Sequence, residues 1–190
     1  MEFPKDVKRE KYSEPIDIGR FEKIEEKYFD KYVEGLDPAE LPDYALDQLH
    51  NNYENISEFI PTRSTNGSAG YDFKALYDVV IPAKSEVLIP TMIKSWISPH
   101  WMLCMFPRSG LGFKYSVRLA NTVGIIDSDY YCNEGNDGHI MIKLRNPSDT
   151  DINISAGERF CQGIFMPYGT VVDDNPRDMK RNGGMGSTGK

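Results

Sequence analysis

The sequence predicts a mainly β protein, an antiparallel sandwich or barrel, with a helical extension at its N terminus. Apolar residues recur at helical spacing in residues 1–60, whereas residues 61–175 carry many short apolar runs separated by Pro, Gly and Asp. Residues 176–190 are rich in glycine, a composition that predicts a flexible arm rather than part of a core. We therefore expect a helical extension, one β domain and a C-terminal arm.

The N-terminal extension is predicted to contain two helices. The apolar face of the first is formed by Phe21, Ile24, Tyr28 and Tyr32. Gly35 ends this helix, and the second begins at residues 37–40, where an acidic N-cap is followed by proline and then glutamate. The apolar residues of the second helix are Tyr44, Ala45, Leu49 and Tyr53. No catalytic constellation occurs here, so the extension could cap the β domain, extend a subunit interface or bind a protein partner.

Residues 61–175 are predicted to form a series of short strands. Between Ile140 and Leu144, apolar residues alternate with Met141 and Lys143, the pattern of a strand with one buried face. The other short apolar runs are residues 79–81, 87–89, 92–97, 101–106, 152–154 and 160–166. Because no long helices alternate with these runs, the pattern excludes a Rossmann fold and favours antiparallel pairing.

Composition limits the possible functions. The net charge of −7 argues against nucleic acid as the main partner, since binding to a phosphate backbone requires clustered Lys and Arg. No apolar run approaches the roughly 20 residues that span a bilayer, and the charged N terminus does not resemble a signal peptide, so we expect a cytoplasmic protein. The three cysteines are far apart and form no CxxC motif, which argues against a disulfide framework and against a zinc site.

Residues 124–130 carry the strongest candidate for catalysis. Asp127 follows Ile125 and Ile126, which we expect to be buried, so its carboxylate would lie at the rim of a buried strand. There it could accept a proton from water, and Tyr130 would add an aromatic ring with a polar tip. A plain β-turn, in which aspartate serves turn chemistry, would explain the same residues.

Two further segments could bind an anion or a metal ion. Arg108, Ser109 and Gly110 combine a forked guanidinium, a hydroxyl and closely approaching amides, which suit phosphate oxygens. Asp72 enters a strand and could hold a hydrated Mg²⁺. Taken singly, each segment also fits a solvated surface turn or a solvated acid.

Five segments, in order along the chain, resemble the five motifs of the trimeric dUTPases. They are residues 69–72, 107–110, 121–130, 157–162 and 181–189. The resemblance implies a jelly-roll-like antiparallel β-barrel of the dUTPase-like β-clip type. It also implies a homotrimer with shared active sites, and Mg²⁺-dependent hydrolysis of dUTP to dUMP and diphosphate.

The resemblance also implies roles for individual residues. Asp127 would activate a water that attacks the α-phosphorus. Asn121 and the backbone of Gly124 and Ile126 would recognise the uracil edge, and Tyr130 would pack under the deoxyribose and leave no room for a 2′-hydroxyl.

A second group of residues is assigned by the resemblance to the triphosphate. Asp72 would contact Mg²⁺ through water. The phosphate-binding residues implied in the β domain are Arg108, Ser109, Gly110 and Gln162. The residues implied in an arm donated by a neighbouring subunit are Arg181, Met185, Gly186, Ser187 and Thr188.

Three features depart from the family pattern. Met185 stands where an aromatic residue usually stacks on uracil, which predicts a less defined stack. Arg181 lies one residue closer to the paired glycines than in the commonest pattern, and Lys180 is a substitute for it. The loop at residues 131–138 is longer than usual and is similar to that of dUTPases from low-GC Gram-positive bacteria and their phages, so the expected location is a bacterial cytoplasm or a phage-infected host cell.

Two alternative functions stay open. A dCTP deaminase shares the fold, but its family needs a glutamate in the strand after the hairpin, and Lys143 occupies that position. A dUTP-sensing regulatory protein could contact a partner through the N-terminal helices. As its only role this is disfavoured, because Asp127 and Gln162 are both intact.

Overall fold

The computed structural model describes residues 17–37 and 41–176. The α-helices are α1 (Glu26–Glu34), α2 (Asp43–Glu54) and α3 (Ser109–Tyr115). The strands are β1 (Gly19–Lys23), β2 (Thr62–Arg63), β3 (Tyr71–Lys74), β4 (Val79–Ile81), β5 (Glu86–Pro90), β6 (Ile93–Ile97), β7 (Trp101–Pro107), β8 (Arg118–Leu119), β9 (Gly124–Ile126), β10 (Met141–Arg145), β11 (Ile152–Ile154) and β12 (Arg159–Pro167). Within these ranges no helix has the length and apolar character needed to cross a membrane.

The strands pair antiparallel throughout the described chain, which confirms the predicted mainly β fold. The largest sheet has the order β2-β3-β12-β7-β9, and a three-stranded sheet has the order β5-β10-β8. Two further pairs are β4 with β11 and β1 with β6. Strand β9, which ends the largest sheet, leads directly into Asp127.

The predicted alternation along β10 is confirmed by burial. Ile142 and Leu144 are buried, whereas Lys143 and Arg145 are exposed. The buried residues join a single apolar cluster that also contains Leu49 from the N-terminal extension. The extension therefore packs against the β domain, so that both bury apolar surface in common.

The first predicted helix starts too early in the sequence. Residues 19–23 form strand β1, which pairs with β6, and the helix begins only at Glu26. The helical spacing of Phe21 misled the prediction because its ring packs on the sheet instead, 5.3–5.6 Å from three aromatic ring centroids. These rings belong to Tyr71, Phe73 and Phe165.

The second predicted helix is present but begins later, at Asp43. Pro42 is its N-cap, and because proline is tolerated only at the first turn of a helix, a start near residue 37 would place Pro42 too far inside. Residues 38–40 of the predicted capping segment lie outside the described residues. Leu49 and Tyr53 are buried as expected, while Tyr44 is 54% exposed.

A buried histidine links the core to the loop at residues 131–138. His139 is 2% exposed, and its Nε2 accepts a hydrogen bond of 3.0 Å from the backbone N–H of Met92, as a neutral ring does. Burial lowers the pKa of His139 to about 3, a shift that the charge of Asp137 opposes. The folded protein therefore holds this ring unprotonated.

We expect His139 to make the protein less stable in mild acid. An unfolded chain protonates histidine near pH 6.5, so from there down towards pH 3 the unfolded state binds more protons and the free energy of unfolding falls by about 1.4 kcal/mol per pH unit. Urea unfolding at pH 7 and pH 5 should show a loss about 2 kcal/mol larger for the parent protein than for His139→Gln. Equal losses would contradict a buried neutral ring.

Candidate functional site

A pocket of about 390 Å³ opens beside the edge strand β9. Asn121, Gly124, Ile126 and Tyr130, all predicted to bind the nucleotide, line it together. Its remaining walls are mostly apolar side chains of β7, β8 and β10. Such a concave apolar pocket with a few polar groups is typical of a small-molecule site.

The ring of Tyr130 forms a fixed wall of this pocket. Tyr130 is 7% exposed, and its hydroxyl donates a hydrogen bond of 2.8 Å to the carbonyl of His139. The same hydroxyl accepts a hydrogen bond of 2.7 Å from Nδ2 of Asn136. Because the hydroxyl both donates and accepts a hydrogen bond, the ring is held in one orientation towards the pocket.

Asp127 lies at the end of the strand that lines the pocket. It is half-buried and precedes a short 3-10 helix, Ser128–Tyr130. Its backbone carbonyl accepts a hydrogen bond of 3.1 Å from the N–H of Tyr130. The hairpin thus fixes the backbone around Asp127, which directly follows strand residues that line the pocket.

The expectation that Ile125 is buried is wrong. Its side chain is 54% exposed, and Ile126 is half-buried. The reason is that β9 is an edge strand of the sheet, so that Ile125 points to the outer face, where no element of the described chain covers it fully.

A second group of predicted residues meets at the ends of β3, β7 and β12. Nε of Arg108 lies 3.4 Å from Oδ1 of Asp72. Gln162 is the strand partner of Asp72 and lies against Gly70, where an added Cβ would be 2.4 Å from its Oε1. Three predicted motifs that are far apart in the sequence therefore form one cluster.

Two members of this cluster were not predicted as site residues. Nη1 of Arg159 lies 3.2 Å from Oδ2 of Asp72, and the hydroxyl of Ser64 donates to the same oxygen at 2.7 Å. Arg159 lies within one of the five segments, which was the available signal, but the sequence offered no reason to pair it with Asp72. With Arg108 and Arg159 around a single carboxylate, the cluster keeps an excess of positive charge that can attract an anion.

Ser109 and Gly110 follow Arg108 directly and begin helix α3. Both are exposed. They therefore lie next to the guanidinium of Arg108 and can present a hydroxyl and a backbone amide to the same anion. The predicted arm residues Arg181, Met185, Gly186, Ser187 and Thr188 lie outside the described residues.

The residues around Asp72 fit a Mg²⁺ ion that arrives with a polyphosphate, but not a resident metal. In the described ranges, no three His, Cys, Asp or Glu side chains come together as a metal site. The carboxylate of Asp72 already contacts two guanidinium groups. One such carboxylate can accept a hydrogen bond from a metal-bound water, whereas a protein cage for a hard cation needs several oxygen ligands.

Most of the pocket lining on β7 and β9 lies on the opposite face of the largest sheet from the cluster around Asp72. Residues paired across antiparallel strands point to one face, and neighbours along a strand point to opposite faces. Gln162 pairs with Asp72 on one side and with Phe106 on the other, so these three share a face. Met105 lines the pocket, pairs with Gly124 and lies on the opposite face from Phe106. Ile125 of the edge strand, which also lines the pocket, lies on the same face as Phe106.

Lys143 also lines the pocket. Its Nζ lies 3.1 Å from Oε2 of Glu86 on the neighbouring strand β5. Among the described residues that line this pocket, none has a carboxyl group. Lys143 therefore brings an ammonium group, and no carboxyl group, to the strand position where a dCTP deaminase needs a glutamate.

Comparison with known proteins agrees with this arrangement. The family model described as dUTPase matches residues 57–189. The deoxyuridine 5'-triphosphate nucleotidohydrolase of Lactococcus lactis subsp. lactis is 42% identical over 143 residues, which cover 75% of this chain and 95% of that protein.

Solved structures show the same similarity. The dUTPase from Streptococcus mutans is 39% identical, with a TM-score of 0.58, over 61% of this chain and 91% of the other. The dUTPase from phage phi11 of S. aureus has a TM-score of 0.52 over 64% of this chain and 90% of the other. At 18% identity, the phage protein supports a shared fold alone.

Proposed function

This chain belongs to the dUTPase family and is a deoxyuridine triphosphate nucleotidohydrolase, and we propose that Asp127 activates the water that attacks dUTP. The observation that carries the proposal is the position of Asp127, directly after the strand β9 residues that line the pocket. A carboxylate held there can accept a proton from a water next to the bound nucleotide.

The pocket beside β9 supports a division of roles in binding. Asn121 and the backbone of Gly124 and Ile126 would recognise the polar edge of uracil, because backbone amides and carbonyls are exposed along an edge strand. The fixed ring of Tyr130 would pack under the deoxyribose. A ribose would bring its 2′-hydroxyl against this ring, so that UTP binds less well.

The cluster around Asp72 would hold the triphosphate. Arg108 supplies a guanidinium, Ser109 and Gly110 supply a hydroxyl and a backbone amide, and Gln162 supplies a carboxamide. Asp72 would contact Mg²⁺ through water, and the bound ion would offset part of the charge of the triphosphate. Arg108 offsets charge that develops in the transition state, and loss of one such donor typically costs about 2.7–4 kcal/mol of activation free energy.

The C-terminal arm is proposed to complete the site. Arg181, Met185, Gly186, Ser187 and Thr188 would close over the nucleotide and exclude water, which strengthens every charged contact inside. Met185 would pack on uracil with a less defined geometry than an aromatic residue. In addition, the N-terminal helices could bind a protein partner, which stays a prediction.

We propose that the protein is a homotrimer with shared active sites. Since the cluster around Asp72 and most of the pocket lining on β7 and β9 lie on opposite faces of one sheet, we infer that a single dUTP does not reach both within one chain. A neighbouring copy that faces the outer side of the sheet would bring its own pocket to this cluster.

Coexpression of two inactive variants tests whether the active sites are shared between subunits. Asp127→Asn and Arg108→Ala chains, each nearly inactive alone, are expected to regain activity when coexpressed, because some sites then combine Asp127 of one chain with Arg108 of another. Random assembly in equal amounts gives about a quarter intact sites, since each intact residue is present with one-half probability. Activity of the coexpressed pair no higher than that of either variant alone would contradict shared sites.

Diphosphate release from dUTP, UTP, dCTP and dTTP, with and without Mg²⁺, tests the function itself. We expect strong preference for dUTP and loss of most activity when EDTA removes Mg²⁺. Equal use of UTP would refute the role of Tyr130. Ammonia release from dCTP would restore the deaminase alternative, which Lys143 disfavours.

A further inference from the structure

The loop at residues 131–138, the hairpin loop, fixes the polar tip of Tyr130. Asn136 donates through Nδ2 to the hydroxyl of Tyr130 at 2.7 Å. Its Oδ1 accepts hydrogen bonds from Nδ2 of Asn133 at 2.8 Å and from the N–H of Gly138 at 3.2 Å. Because the oxygen side of this carboxamide is engaged, its amino group is directed at the Tyr130 hydroxyl.

The conformation of the hairpin loop needs support from outside it. Cys132 and Asp137 adopt left-handed backbone conformations with φ of 53° and 60°, and such conformations cost free energy in residues other than glycine. They persist only where surrounding contacts fix them. The contacts of Asp137 are therefore decisive for the shape of this loop.

The N-terminal extension supplies much of this support. Oδ2 of Asp137 accepts a hydrogen bond of 2.8 Å from the backbone N–H of Glu25, at the start of α1. From α1 itself, Tyr28 donates to the carbonyl of Glu134 at 3.3 Å and Lys31 donates to the carbonyl of Gly135 at 3.1 Å.

Two more contacts connect the loop with the strands β1 and β6. The hydroxyl of Tyr131 donates to Oε2 of Glu22 at 2.5 Å. Nζ of Lys94 lies 2.8 Å from Oδ2 of Asp137, and the two side chains are only 6% and 2% exposed. The N-terminal extension therefore holds the hairpin loop, and the hairpin loop in turn contacts the hydroxyl of Tyr130 through Asn136.

We propose that Asn136 is a positioning residue for discrimination against the 2′-hydroxyl, and that the N-terminal extension acts on specificity by holding the loop that carries Asn136. The inference rests on the proposed role of Tyr130 as the surface under the deoxyribose. Asn136 acts through the Tyr130 ring, whose orientation decides whether a 2′-hydroxyl fits. The extension, which has no site residue of its own, thereby gains a function in substrate choice.

The ratio of kcat/KM for dUTP to kcat/KM for UTP is the measurement that tests this proposal. Asn136→Ala should lower the ratio about tenfold, the effect of losing roughly one hydrogen bond. Most of the change should come from improved use of UTP, with kcat for dUTP largely retained. The matched control Asn153→Ala, on the exposed side of β11, should keep the ratio of the parent protein.

A double-mutant cycle isolates the contact between Asn136 and Tyr130. Tyr130→Phe keeps the ring but removes its anchor, so it should also lower the ratio. The double variant Asn136→Ala/Tyr130→Phe should then lower it no further than Tyr130→Phe alone. Independent, multiplicative effects would overturn the proposal. If Asn136→Ala does not fold, an unchanged ratio in Tyr130→Phe overturns it by itself.

The contribution of the extension is tested with Tyr28→Phe/Lys31→Met, which removes two exposed contacts and leaves the core intact. We expect a decrease of the ratio of about twofold to threefold, since exposed contacts are individually weak, together with faster amide hydrogen exchange in the hairpin loop. An unchanged ratio despite faster exchange would overturn the role of the extension.

If the parent protein itself does not prefer dUTP over UTP, the proposed role of Tyr130 fails. If it does and all variants retain the preference, only the positioning role fails.

Discussion

Asp127→Asn is expected to lower kcat for dUTP by about 10²–10⁴-fold, the usual effect of losing a general base. The amide has nearly the size of the carboxylate, so the hairpin and the pocket should keep their shape. However, it cannot accept the proton of the attacking water at neutral pH. Diphosphate release measures the loss, and the Kd of a non-hydrolysable dUTP analogue should stay within about twofold of the parent value, because the pocket lining is unchanged.

Asp149→Asn is the matched control, since its side chain is 89% exposed in a surface loop and should leave kcat unchanged. If Asp127→Asn turned over dUTP at the parent rate, the proposed mechanism would be wrong. If it lost nucleotide binding to the same degree as turnover, Asp127 would serve binding rather than proton transfer.

Lys94→Met is expected to destabilise the protein by about 3–5 kcal/mol, the usual effect of breaking a buried ion pair. Without the ammonium group, Asp137 is left as an uncompensated charge that is 2% exposed. Urea unfolding at pH 7 measures it as a lower transition midpoint with an unchanged slope.

The double variant Lys94→Met/Asp137→Asn separates charge from packing. The neutral amide at position 137 can still accept the hydrogen bond from the N–H of Glu25. We therefore expect the double variant to recover most of the stability that Lys94→Met loses. A single variant that loses less than about 1 kcal/mol would show that the buried pair is not a strong constraint.

The pKa of Lys94 gives the same pair a second signature. Burial is the largest single influence and lowers this pKa, but the hydrogen bonds and the charge of Asp137 together raise it above the ordinary lysine value. A lysine whose pKa is raised on folding stabilises the protein below its unfolded pKa, and this contribution disappears as the pH rises through the folded pKa. The parent protein should therefore lose more stability in strong alkali than the double variant does.

The candidate site residues could be proposed from the sequence because their signals are local. Asp127 and Tyr130 belong to one hairpin, and Arg108, Ser109 and Gly110 are consecutive, so each group could be recognised from residue type and spacing. The alternation around Ile142 was likewise visible in the sequence, because a strand with one buried face repeats every two residues. Even the argument against deamination needed only the residue at position 143.

Local patterns failed where burial depended on a distant partner. The spacing of Phe21 fits a helix, yet its aromatic contacts come from β3 and β12, so the segment becomes a strand. Ile125 looked buried because it is apolar, but it lies on an edge strand and points to the outer face of the sheet.

The amino-acid sequence by itself determined the fold class and the family, because these depend on periodicity and on short motifs. It also singled out residues that the structure brings together in the pocket and around Asp72. Only the tertiary structure decided how they combine. It paired Arg159 and Ser64 with Asp72. It also placed most of the pocket lining on β7 and β9 on the opposite face of one sheet from the cluster around Asp72. It also joined the N-terminal extension to Tyr130 through Asn136 and Asp137. The contacts of Arg159 with Asp72 and of Glu25 with Asp137 link residues that are far apart along the chain. Their formation depends on which strands pair and which loops meet, so no local pattern contains them.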